Sequence, residues 1–256
     1  MNDDLALLYK IQSTLKTAGY HDISRISKEI LSFLENKTMS QKDLFRRLLS
    51  FEPWEYISGE TEFRNHRLFI NSNVLIPRIE TEQIVDIAKE NLQGIKNIVD
   101  IGTGSGCIAI SLAKELESNI PIFALDISKE VLVLAKSNAE LNNVANKIKF
   151  KQNNLIKGLT FKSPTLYIAN LPYIQTDMYN KLGKSVHDFE PKLALEAGND
   201  GLKYYRELFK QIPKGDNMLI IETDPSTIKN IEKIKQPIKI IKDFRGLDRF
   251  LLFNFS

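Results

Sequence analysis

One cysteine, Cys107, stands in 256 residues. An intramolecular disulfide is therefore excluded, and no CxxC or Cys/His spacing marks a zinc site. A chain with so little thiol chemistry fits a reducing compartment, and the cytoplasm is the expected location. The three histidines, His21, His66 and His187, are scattered, so no metal centre is expected. No apolar run approaches the roughly 20 residues of a membrane span. The opening MNDDLALLYK also lacks the basic-then-apolar order of a secretion signal, so no membrane role is expected. Net charge is scarce too, since a formal +3 is too small to demand nucleic acid as a partner.

What is present is the balance of an ordinary globular protein: 43% apolar and 26% charged residues, enough for a sizeable core. Residues 1–50 read as a small helical domain. Leu5, Leu8, Tyr9, Gln12 and Leu15 recur at helical spacing, as do Ile23, Ile26, Ile30, Leu31 and Leu34, with Gly19 between them. Ser40 and Asp43 have the spacing of a capping box ahead of Leu44, Phe45, Leu48 and Leu49. Such a unit serves either as scaffold or as a partner-docking module. In residues 51–77 the helical period stops, and Thr61–Arg64 and Arg67–Ile70, separated by Asn65 and His66, read as a linker with a β-hairpin. A helix is expected to open at Glu80 or Thr81.

Beyond Gly94 apolar strands near 97–101, 120–125, 147–151, 165–169, 217–222 and 238–242 alternate with helical stretches near 107–117, 129–141, 202–211 and 225–235. Alternation of this kind predicts an α/β fold with a mostly parallel sheet covered by helices on both faces. The last strand, Arg249–Phe253, follows the one before it after only Asp243–Asp248, too short for a parallel crossover, so it is expected to pair antiparallel. No internal repeat is visible.

Asp100-Ile-Gly-Thr-Gly-Ser-Gly106 places three glycines at alternate positions between a strand and a helix. Without Cβ atoms the backbone can approach a ligand, and the following helix is expected to offer unpaired N–H groups. The spacing is not GxGxxG, because Cys107 stands where the third glycine of that motif belongs, which lowers the expectation of hydride transfer. A tight turn is the plainer alternative. Asp126 closes the next strand, where a carboxylate can accept both hydroxyls of a ribose or cap the following helix.

Asn170-Leu171-Pro172-Tyr173 follows the fourth strand at the same sheet edge. An asparagine amide can both donate to and accept from a planar amide or amine, the proline fixes the turn, and the tyrosine ring can stack on the bound group. An ordinary turn explains the same letters, and position after the fourth strand favours the site. Arg78 reads equally as a surface charge or a substrate-loop contact. Cys107, at a helix start, is either a stabilised thiolate or a small buried residue. Asp188, Glu190 and Asp200 are expected on a solvated surface.

Over nearly its whole length the sequence resembles the class I S-adenosylmethionine-dependent methyltransferases. More narrowly it resembles the peptide chain release factor N5-glutamine methyltransferases, the HemK or PrmC family. The resemblance is carried by Pro53–Gly59 with Glu62 and Phe63, Val74–Glu82, Asp100–Gly106, Asp126, Asn170–Tyr173, Phe189–Leu195 and Gly198–Leu202, in that order. It implies a Rossmann-like seven-stranded methyltransferase sheet with an antiparallel last strand in residues 78–256, behind the N-terminal helical domain. It also implies methylation of the glutamine in the Gly-Gly-Gln motif of class I release factors by a monomer that needs no nucleic acid directly. Carried onto these residues, Gly102, Thr103, Gly104, Ser105 and Gly106 would line the methionine and ribose of S-adenosylmethionine, and Asp126 would hold the ribose hydroxyls. Asn154 and Leu155 would lie against the adenine. Asn170, Pro172 and Tyr173 would be catalytic, with Asn170 also touching the cofactor, and Leu171 and Arg78 would join them in binding substrate.

Two positions depart from that family's pattern. Leu171 replaces the first proline of the usual corner, and Asn153-Asn154-Leu155 replaces an acid and sometimes an aromatic, which predicts weaker cofactor binding. The Asn-Leu-Pro-Tyr spelling also resembles the ribosomal RNA adenine N6-dimethyltransferases, but those carry the helical domain after the methyltransferase domain. The remaining alternative is a non-catalytic nucleotide-binding adaptor.

Overall fold

The computed structural model describes residues 2–36 and 39–256. Helices α1 (Asn2–Thr17), α2 (Ile23–Asn36) and α3 (Gln41–Leu49) are amphipathic and bury Ile11, Leu15, Ile26, Ile30, Leu44 and Leu48 in one apolar cluster. Ser40 caps α3 by accepting from the Asp43 amide, as its spacing predicts.

Residues 51–77 hold, besides the expected hairpin, a short helix that the sequence does not announce, α4 (Trp54–Ser58). Five residues are too few for a helical period to emerge, and Pro53 and Gly59 bracket it as ordinary loop punctuation would. Trp54 and Ile57 join the helical cluster, and the Trp54 indole donates to Glu29 of α2 at 2.6 Å.

Strands β1 (Glu60–Phe63) and β2 (His66–Phe69) form the expected hairpin, but its turn is Arg64-Asn65, one residue earlier than read. Both turn residues have positive φ, 49° and 61°, the geometry of a twist-matched two-residue turn. Asn65 tolerates that conformation, while Arg64 is held by Glu115 and Asp86 and by its own amide donating to Glu82. These partners lie far off in sequence, which is why local composition misplaced the turn.

A short 3-10 turn, Ile79–Thr81, leads into α5 (Glu82–Glu90). Then follow β3 (Asn97–Ile101), α6 (Cys107–Glu115), β4 (Ile122–Asp126), α7 (Lys129–Leu141), β5 (Ile148–Gln152) and β6 (Thr165–Ala169). Two one-turn helices, α8 (Thr176–Tyr179) and α9 (Lys184–His187), precede α10 (Lys203–Gln211), β7 (Met218–Glu222), α11 (Ile228–Glu232), β8 (Lys239–Lys242) and β9 (Asp248–Asn254). The sheet order is β5-β4-β3-β6-β7-β9-β8, parallel from β5 to β7, with β9 antiparallel to both its neighbours.

Central strands β3 and β6 are buried on both faces, so they read as mostly apolar runs, broken in β3 by the buried Asp100. Ile98, Leu166 and Ile220 face α5 and α6, whereas Val99, Tyr167 and Leu219 face α10 and α11. Chain order reverses between β3 and β6, and a crevice opens there at the carboxyl ends of the strands. Among the described residues no helix is long and apolar enough to cross a membrane.

Candidate active site

The carboxyl edge of the sheet carries a polar residue on each of four strands or just past it: Asp126 on β4, Asp100 on β3, Asn170 after β6 and Glu222 on β7. In front of them lies a cleft of about 740 Å³. Its walls come from the glycine loop, the turn after β4, the loop after β5, the corner after β6 and the segment around Arg78.

The glycine loop is shaped by bonds made beneath it. The amides of Gly102 and Thr103 donate to the Leu125 carbonyl, and the Gly104 amide donates to Asp126 Oδ2 at 3.1 Å. Thr103 donates through its hydroxyl to Asp100 at 2.6 Å, and the Ala109 amide in the first turn of α6 acts on Asp100 as well. The Gly102, Thr103 and Gly104 amides of the loop itself are thus already taken, by the Leu125 carbonyl and the Asp126 carboxylate at the end of β4. Such a loop suits a ligand without phosphate groups.

Gly104 has φ +55°, and a Cβ placed there would approach nothing nearer than 4.0 Å, so this glycine keeps the cleft floor open. Gly106 lies away from the cleft, turned into α6, where a Cβ would press on Ile110 and Ala135. Gly102, Thr103, Gly104 and Ser105 all line the cleft.

Asp126 accepts from the Gly104 and Ser128 amides, one on each oxygen, and each oxygen keeps lone-pair capacity for a ligand hydroxyl. Helix capping falls to Ser128, which accepts from Val131. Burial pushes the Asp126 carboxyl above its ordinary value. Asn154 and Leu155 line the cleft opposite. Leu155 has φ 52°, rare for a branched side chain, in a loop that Asn153 braces by donating to the Leu155 and Lys157 carbonyls. Cys107 is a buried neutral thiol whose pKa burial pushes up to about 12, so the thiolate alternative fails.

At the corner, the Asn170 amide nitrogen donates to Thr81 Oγ1 and to Glu222 Oε2, each at 3.1 Å. Both its N–H groups are thereby used, and its carbonyl oxygen remains for a ligand. Leu171 packs its side chain over Gly102, while its carbonyl lies 3.3 Å from the Tyr205 hydroxyl, which donates at 2.5 Å to the Glu222 carbonyl, so the Leu171 carbonyl keeps acceptor capacity. Pro172 lines the cleft; Tyr173 stands behind it against the Leu219 face of the core, and burial raises its phenol above the ordinary range.

Arg78 lines the cleft and pairs with Glu190 at 2.6 Å. Glu190 is only 4% exposed and also accepts from the Ile76 amide. The expectation of a solvated Glu190 is overturned, because its cation stands 112 residues upstream, invisible to local composition. Asp188 is exposed as expected, and Asp200 is half-buried beside Arg206. Among the described residues no three His, Cys, Asp or Glu side chains gather as metal ligands do.

A methyltransferase domain family matches residues 92–243. A release factor glutamine methyltransferase of Flavobacterium psychrophilum is 36% identical over 93% of this chain and 88% of its own. One of Thermodesulfovibrio yellowstonii is 34% identical over 84% and 81%, and one of Lactococcus lactis is 40% identical over 75% and 71%. The chain belongs to the release factor glutamine methyltransferase family. Its fold is also that of the hMettl16 catalytic domain solved with a MAT2A 3'UTR hairpin, at a TM-score of 0.58 and 17% identity over 92% of this chain and 93% of that one. At that identity the likeness speaks for the fold alone.

For a member of this family, two residues of the corner went unnoticed in the sequence. Glu222 is 1% exposed at the end of β7, and Thr81 is buried at the start of α5. One signal was available for Glu222: like Asp126, it is an acid closing an apolar parallel strand, Met-Leu-Ile-Ile-Glu. Thr81 offered none, since it meets Asn170 only through a contact spanning 89 residues.

Proposed function

We propose that this protein transfers a methyl group from S-adenosylmethionine to the side-chain amide nitrogen, N5, of the glutamine in the Gly-Gly-Gln motif of class I peptide chain release factors. The observation that carries this reading is the Asn170 amide, held at the cleft with its N–H groups bonded inward and its carbonyl free. That arrangement accepts from a planar N–H donor, as a glutamine amide is.

The cleft residues fit the cofactor. The loop needs no phosphate, Gly104 leaves room, and Asp126 has acceptor capacity for two ribose hydroxyls. Ile127 and Leu155 offer apolar contact for the adenine, with Asn154 as a polar partner. Beneath the loop, Asp100 Oδ1 has no hydrogen-bond partner among the described residues, which suits a nearby cationic ligand. When bound, S-adenosylmethionine supplies an electrophilic methyl group, which the amide nitrogen takes while the sulfur keeps the bond pair.

The amide nitrogen is a weak nucleophile because its lone pair is delocalised, so the protein's contribution is orientation and exclusion of water. Asn170 accepts one substrate N–H through its carbonyl, and the Leu171 carbonyl accepts the other. Together they would fix the orientation of the substrate amide in the cleft. Pro172 fixes the turn, Tyr173 supports the corner from the core side rather than stacking on the amide, and the surplus proton leaves the product nitrogen for water. Arg78 and the helical residues 1–50, joined through the linker 51–77 to the methyltransferase domain 78–256, dock the release factor. We read the protein as a cytoplasmic monomer in this role.

Replacing Asn170 with alanine tests the reading. Methyl transfer to a purified release factor should fall at least about 100-fold, with the thermal unfolding midpoint unchanged. Wild-type turnover in that variant would reject it.

A further inference from the structure

We infer that Glu222 and Thr81 are positioning residues that fix which face of the Asn170 amide meets the substrate. The inference rests on the methyl-transfer reading above and adds to it a device for setting the amide's orientation.

An asparagine amide can be rotated by half a turn with little change in shape, exchanging its acceptor for its donors. Only one orientation accepts from a substrate N–H. Here the Asn170 nitrogen meets two acceptors, Glu222 Oε2 and Thr81 Oγ1. The Thr81 hydroxyl beside Glu222 further favours its carboxylate form. An ionised Glu222 has no proton to donate, so a rotated Asn170 would set its carbonyl against a carboxylate. The three side chains therefore agree on one arrangement, and that agreement holds only while Glu222 is a carboxylate.

Protonation removes the constraint, because a carboxylic acid can donate to the Asn170 carbonyl. Burial pushes the Glu222 pKa up to about 7. The ionisable and charged groups acting around it are Arg78 and Glu80 ahead of α5, Arg249 on β9, Tyr173 at the corner, Tyr205 on α10 and Cys107 on α6. The arginines favour the carboxylate, while Glu80 opposes it.

The test is the pH dependence of release factor methylation by the full-length protein, with kcat and KM measured separately. Wild-type kcat should fall tenfold per pH unit below about 7. In Glu222→Gln, whose amide offers both a donor and an acceptor, kcat should drop about 10- to 100-fold. KM for the release factor should change less than about twofold, and the acid limb should vanish. Asp100 titrates in the same range. An acid limb that survives in Glu222→Gln therefore belongs to Asp100 and overturns the inference, as does wild-type kcat in that variant. Should Glu222→Gln fail to fold, Thr81→Val decides. Loss of the hydroxyl that favours the Glu222 carboxylate should move the acid limb to higher pH and lower kcat, and an unmoved limb overturns the inference. Failure of the wild type to methylate a release factor at any pH would instead reject the methyl-transfer reading itself.

Discussion

Gly201 lies against the backbone of Tyr173 so closely that a Cβ there would collide with the Tyr173 carbonyl oxygen. The glycine also has φ +72°, a conformation that side chains disfavour. The loop after Phe189 thus clamps the corner that carries Asn170. Gly201→Ala should displace that corner, lowering methyl transfer by about 100-fold and stability by roughly 1–3 kcal/mol. Parallel transfer assays and thermal melts will check both effects.

Asn138, fully buried on α7, plays the part of a missing strand. Its carbonyl accepts from the Phe69 amide at 2.6 Å, and its nitrogen donates to the carbonyls of Phe69 and Ser105 at 3.0 and 2.9 Å. One side chain joins the hairpin, α7 and the glycine loop. Asn138→Ala leaves buried backbone groups unpaired and should destabilise the protein by about 2–4 kcal/mol. Urea unfolding measures this directly, and a loss below about 0.5 kcal/mol would contradict the assigned role.

The Arg78–Glu190 pair predicts unequal effects. Arg78→Met strands a buried carboxylate and should lose about 1–3 kcal/mol, moderated because Arg78 is partly exposed. The double variant Arg78→Met/Glu190→Met should be more stable than Arg78→Met alone. Simple additivity of the two losses in denaturant melts would show that the pair is uncoupled.

Stability should also depend on pH in an unusual direction. Burial pushes Asp100 and Glu222 up to about 7, from ordinary values of 3.8 and 4.5. The folded state then holds protons that the unfolded state has released, so these groups destabilise increasingly as pH rises from about 4.5 to 7. Asp126 and Glu190 shift the same way, whereas Glu115, drawn down to about 2 by Arg64, acts only at lower pH. Each raised group contributes a slope of up to about 1.4 kcal/mol per pH unit. Asp100→Asn should flatten that slope in unfolding measured between about pH 5 and 8. An unchanged slope would show that Asp100 is ionised throughout.

Much of the fold was legible because strands buried on both faces read as apolar runs, and β3, β6 and β7 stand within a residue of their expected positions. The antiparallel β9 followed from a connection too short for a crossover. What escaped reading depended on distant partners. The hairpin turn moved because Arg64 is anchored to Glu115, α4 was too short to show a period, and Glu190 looked solvated because Arg78 lies far upstream. In the site, the glycine loop, Asp126 and the corner announce themselves as local motifs. Glu222 and Thr81 do not, since their role exists only where β7 and the start of α5 meet Asn170.

The most direct measurement offers the purified protein labelled S-adenosylmethionine together with a class I release factor and ribosomal RNA, then maps the label. The account predicts one methyl group per release factor, on the amide nitrogen of the Gly-Gly-Gln glutamine, and none on RNA. Label on RNA adenines with the release factor unmodified would contradict it.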